Sequence, residues 1–114
     1  PLLFSLAKDI HLDTPLTDSA FKTNSLFEKG YTMEEIARIR KLKINTIEDH
    51  VIEIVSSDKN FSVSAFISSE QVEKILHLSK ELHTKKLTVI KNRLPELTYF
   101  QVRLALTKGE QIHG

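Results

Sequence analysis

The sequence predicts an all-α fold: a helix-turn-helix bundle followed by a second small helical subdomain. Three observations lead there. Glycine and proline are scarce, three of each in 114 residues, too few for an ordinary all-β domain or a Gly-rich phosphate loop. Leu, Ile, Lys and Glu are abundant, a helical composition. Apolar residues recur every three to four positions, each run opened by a capping residue.

Residues 1–15 read as an arm or the end of an upstream segment. Leu2, Leu3, Phe4 and Leu6 are crowded and apolar, and Pro15 biases Thr14 away from helix. A start at Pro1 rather than Met suggests a fragment of a longer chain. The first helix is expected over residues 16–29, capped by Thr17 or Asp18. Leu16, Ala20, Thr23, Leu26 and Phe27 share its inner face, and Gly30 supplies the left-handed stop. Thr32 opens a short helix to about Arg40, with Glu35 completing a capping box. Ile36 and Ile39 are expected inward there, and Ala37 permits a close helix crossing.

Lys41, Leu42 and Lys43 form the connector to a third helix, with Asn45 as its expected cap. Ile47, Val51, Ile54 and Val55 make its apolar stripe, and residues 56–60 are a polar loop. Phe61, Val63, Phe66 and Ile67 suggest one or two docked helical turns. Ser68 caps a helix to about Leu82, with Val72, Ile75, Leu76, Ser79 and Leu82 on one face. Another helix is expected from Thr84 to Arg93, with Leu87, Ile90 and Leu94 inward, until Pro95 breaks it. Thr98 and Gln101 box the last helix, expected to end near Thr107 before Gly109. Tyr99, Val102 and Leu106 lie on one side of it. The organisation is thus an arm (1–15), a helical domain (16–107, subdomains 16–60 and 61–107) and a tail (108–114).

Composition narrows the chemistry. Net charge is +1, so the chain is no bulk polycation, and any electrostatic role needs local clustering. Without cysteine there is no disulfide framework, thiolate nucleophile or iron–sulfur site. That fits a reducing compartment, and a cytoplasmic location is expected. No apolar run approaches the ~20 residues of a membrane span, and no signal peptide is visible. His11, His50, His77, His83 and His113 are scattered without metal-site spacing. Glu48 and Asp49 diverge as neighbours on a helix and make no catalytic pair. No enzyme activity, cofactor or metal is therefore expected.

The most informative stretch is residues 30–51. Two capped helices, a small Ala37 and a tight connector make a helix-turn-helix, with Ile36, Leu42, Ile47 and Val51 filling the wedge. Glu35-Ile36-Ala37 and Thr46-Ile47-Glu48-Asp49-His50-Val51 resemble the helix-turn-helix units of bacterial LuxR-type and sigma-factor proteins. Lys41 departs from that pattern, since many such turns carry Gly. Phe66, Ser68-Ser69-Glu70, Val72, Ile75 and the run Tyr99 to Leu106 follow in order. Together they resemble the helicase-associated helix-turn-helix domain at the C-terminal end of bacterial RecQ-type DNA helicases. They also resemble the C-terminal part of a Bacillales family encoded alongside a RecQ-type helicase. The resemblance covers about residues 17–107. It implies a non-catalytic accessory module in DNA repair, with DNA and a RecQ-type helicase as partners.

Two basic clusters are the DNA-binding candidates. Arg38, Arg40, Lys41 and Lys43 surround the first connector, with Asn45 and Thr46 opening the helix beyond it. Lys85, Lys86, Lys91 and Arg93 are expected on one later helix, joined by Tyr99, Gln101 and Arg103 of a second helix-turn-helix. That basic helix lacks a wide apolar face, so no membrane binding is expected. Residues 1–57 hold 7 basic and 9 acidic groups, and residues 58–114 hold 9 and 6. The cationic excess therefore lies in the second half. Glu48, Asp49 and Glu53 face phosphate unfavourably and are candidates for docking a basic protein surface. Two alternatives stand beside the DNA module: a protein-interaction domain that docks a helicase, and a LuxR-like transcription regulator.

Overall fold

A computed structural model describes residues 16–113, with side chains placed through Gln111. The expected arm at 1–15 lies outside the described residues. Among those described there are six helices and no strand, and the fold is all-α. The helices are α1 (Asp18–Glu28), α2 (Met33–Arg40), α3 (Ile44–Ser57), α4 (Ser69–Leu82), α5 (Leu87–Arg93) and α6 (Tyr99–His113). The chain divides into two compact units, one ending at Ser57 and the other beginning at Asp58.

In the first unit α1, α2 and α3 all pack on one another. Thr17 caps α1, its hydroxyl accepting the Ala20 amide at 3.2 Å. Gly30, at φ 96°, lets the chain turn back. The Tyr31 amide then reaches the Leu26 carbonyl and the Gly30 amide the Phe27 carbonyl, satisfying the last carbonyls of α1. Thr32 and Glu35 form the capping box of α2 in both directions. Ala20, Ile36, Ile47, Val51, Ile54 and Val55 form a buried apolar core. Ile39, expected inward, is 51% exposed. The inner face of α2 is Met33, Ile36 and Ala37, and the next position in that register is Arg40. Helix α3 begins at Ile44, because the Lys43 carbonyl already accepts the Thr46 and Ile47 amides. Asn45 therefore lies inside the first turn and is not the cap.

In the second unit α6 packs against α4 and α5. Residues 61–67 form a single turn, not a helix, closed by the Phe66 and Ile67 amides on the Val63 carbonyl. It seats Ile67 in the core and sets the Phe66 ring edge-on to Phe100, 5.8 Å between centroids. Ser68 and Gln71 box the start of α4. Thr98 and Gln101 box the start of α6. Helix α5 begins at Leu87 and not at Thr84, because the Thr84 hydroxyl caps the Lys86 amide over an extended backbone. Lys85 and Lys86 therefore lie on the connector before the helix. Gly109 does not stop α6, which runs on to His113. It is buried, and a Cβ there would sit 2.5 Å from Leu76 Cδ2. Its role is close approach of α6 to α4.

Candidate nucleic-acid interface

The turn between α2 and α3 is sharp. Lys41 closes α2 in the left-handed conformation at φ 58°, ψ 45°. The Leu42 amide returns to the Ala37 carbonyl at 2.9 Å. This is the conformation glycine takes at many helix ends, and a lysine holds it at a cost of about 1–2 kcal/mol. Lys43 then offers the first carbonyl of α3. Arg38, Lys41, Lys43 and Asn45 are all exposed around this turn, and Thr46 is half-buried. Among the described residues, no ion pair engages Arg38, Lys41 or Lys43.

Arg40 faces inward. Its Nη1 donates to the Ser19 carbonyl and to the Thr23 hydroxyl, both at 2.6 Å, and its Nη2 to Ser19 Oγ at 3.2 Å. Thr23 Oγ1 lies 2.8 Å from His50 Nδ1. The guanidinium is thus spent on tying the three helices together. Burial pushes the His50 imidazole below its ordinary range, and the nearby Arg40 charge adds to that. Along α3, Asp49 is exposed and Glu48 half-buried. Glu53 Oε2 accepts the Thr17 amide at 2.6 Å, which fixes α3 to the start of α1.

Residues 19–106 match a family model described as a helix-turn-helix domain. The chain belongs to this family. The helix-turn-helix domain is similar to Protein YpbB of Bacillus subtilis (strain 168), with 41% identity over 111 residues. That match covers 96% of this chain and 32% of the relative, so the chain spans about a third of that protein. No solved structure matches it.

The second unit of the helix-turn-helix domain divides its basic residues among different tasks. Lys86 and Arg93 are exposed. Lys85 pairs with Glu110 at 3.4 Å, a surface pair worth little. Lys91 donates to the Pro95 carbonyl at 3.2 Å and sits over the Tyr99 ring at 5.6 Å. Tyr99 is 48% exposed at the first position of α6, whereas Val102 and Leu106 further along the same side are buried. Arg103 is half-buried. Gln101 is held internally: its amide oxygen accepts the Thr98 amide, and its nitrogen donates to the Phe66 carbonyl at 3.0 Å.

Among the described residues, no group of acidic residues and histidines could hold a metal, and no helix is long and apolar enough to cross a membrane. Sequence reasoning passed over one feature, a cleft in the second unit lined by His77, Lys80, His83 and Lys85. The signal was present: His77, Lys80 and His83 recur at intervals of three, on one side of a helix and its end.

Proposed function

We propose that this helix-turn-helix domain is a non-catalytic DNA-binding module that holds the phosphate backbone. The observation that carries the reading is the turn between α2 and α3. Three exposed cations, Arg38, Lys41 and Lys43, lie along the last turn of α2 and the connector that leads to Asn45 and Thr46 at the start of α3. In helix-turn-helix proteins that end of the second helix points into the groove, and its amides and flanking cations favour anions. Glu48 and Asp49 follow within the next turn and repel a deeply inserted duplex. Phosphate contact therefore outweighs base readout, and the expected binding is weakly sequence-specific. Lys86 and Arg93, with Tyr99 and Arg103, offer a second set of phosphate and base contacts in the second unit.

The finer reading is a module that helps a RecQ-type helicase engage DNA during repair in the bacterial cytoplasm. Support for it comes from the order of motifs between residues 17 and 107. The test is a fluorescence-anisotropy titration with labelled duplex, forked and single-stranded DNA. With roughly four phosphate contacts, affinity falls about 10²-fold between about 50 and 200 mM salt. Absence of binding to all three at low salt overturns the proposal.

A further inference from the structure

The cleft in the second unit has a volume of 780 Å³, within the range of small-ligand sites. Leu76, Leu106 and Gly109 give it an apolar lining that is buried or half-buried and so forms its floor, beneath the exposed polar side chains. Glycine at 109 lets Leu76 lie close against α6 there, since a Cβ would sit 2.5 Å from Leu76 Cδ2. The rim is cationic or protonatable, with His77, Lys80, His83 and Lys85 against the single carboxylate of Glu110.

The rim is also pre-organised. His83 closes α4 in the left-handed conformation. Ser79 Oγ donates to the Thr84 carbonyl at 2.6 Å, and the Thr84 amide returns to the Ser79 carbonyl at 3.1 Å. Lys85 then reaches across to Glu110.

From this geometry we infer that the cleft receives one unpaired nucleotide of a DNA strand, its base on the apolar floor and its phosphate at the lysine rim. The inference rests on the DNA-binding reading and names a substrate class that reading leaves open. A duplex offers phosphates and groove edges but keeps its base faces stacked, so an apolar floor takes a base only from a single strand. Imidazoles at the rim suit stacking against a base. Glu110 at the same rim is an acceptor for the exocyclic amino group of cytosine, a donor that the side chains of an acidic peptide do not offer.

The experiment is a ¹⁵N–¹H correlation titration of the whole chain with 5′-phosphorylated oligodeoxycytidylate. The chain has only three glycines, so the Gly109 amide is readily followed, with Gly30 in the other unit as an internal control. The expected result is movement of Gly109 and Thr84 with Gly30 still, and half-saturation raised about tenfold in the Lys80→Ala, Lys85→Ala variant, about 1.4 kcal/mol. The variant's own spectrum reports whether it is folded. Movement at Lys41 to Asn45 with Gly109 still overturns the cleft and leaves the DNA reading intact. No movement anywhere overturns the cleft, and the duplex and forked titrations then decide the DNA reading on their own. Equal movement of Gly109 with oligoglutamate overturns the nucleotide assignment.

Discussion

The Thr23 hydroxyl lies 2.8 Å from His50 Nδ1 and accepts a hydrogen bond from Arg40 at 2.6 Å. One small side chain thus joins α1, α2 and α3. Arg40 can only donate, so the hydroxyl accepts from it and keeps a proton and a second lone pair with which to bond Nδ1. Thr23→Val keeps the size of the side chain and removes both bonds, leaving the buried imidazole nitrogen without its partner. The expected loss is about 1–3 kcal/mol in urea unfolding. An unchanged midpoint would show that the network is dispensable.

The same imidazole makes the fold sensitive to mild acid. Burial and the Arg40 charge hold its pKa below 6.5, outweighing the opposing pull of Glu53 and Asp49. In the unfolded chain His50 takes its proton near 6.5, and in the folded chain only at lower pH. Between those values the unfolded state binds more protons. Stability is therefore full above 6.5 and falls as pH drops through it, levelling off once folded His50 is protonated too. Comparing urea midpoints at about pH 7.5 and about pH 5.5 should show a smaller drop in His50→Gln than in the native chain. An equal drop assigns the acid sensitivity to other groups.

Gly109 and Leu76 are a packing pair with a predictable sign change. Gly109→Ala gains about 0.5–1 kcal/mol of helix propensity. It also forces a methyl against Leu76, and such overpacking costs about 1–3 kcal/mol. The variant should be net destabilised. In a Leu76→Ala background the clash is gone, and the same substitution should stabilise. Thermal unfolding of the four proteins in the cycle measures this, and a Gly109→Ala effect of the same sign in both backgrounds contradicts the packing role.

These pairs also show what a sequence discloses. The Thr32/Glu35 and Thr98/Gln101 boxes and the Ser68 cap were legible because a cap is decided within four residues. The helix-turn-helix was legible because Ile36, Ala37, Ile47 and Val51 repeat at helical spacing. Ile39 was misread because hydrophobicity alone ranks it above Arg40. The inward register goes to Arg40 because Ser19 and Thr23, on another helix, satisfy its guanidinium. Gly109 looked like a stop for a similar reason: its partner Leu76 is thirty-three residues away in sequence. The basic side of the cleft was written in the spacing of His77, Lys80 and His83, but the cleft itself was not, because its lining joins two stretches far apart in sequence, residues 76–85 and 106–110.

Lys41 is the residue at which stability and the proposed function pull apart. It holds a left-handed backbone that suits glycine, on an exposed side chain that the DNA reading assigns to phosphate. Lys41→Gly removes the backbone strain and should raise stability by about 1 kcal/mol. It also removes a cation, so DNA binding should weaken and the slope of log K against log salt should fall by about 1. Lys41→Ala separates the two effects, because it loses the charge and keeps the strain. It should bind DNA as weakly as Lys41→Gly and gain no stability. Chemical unfolding and salt-dependent anisotropy on both variants test the pair. If Lys41→Gly is more stable but binds as tightly as the native chain with the same salt slope, Lys41 touches no phosphate, and the turn between α2 and α3 loses its central contact.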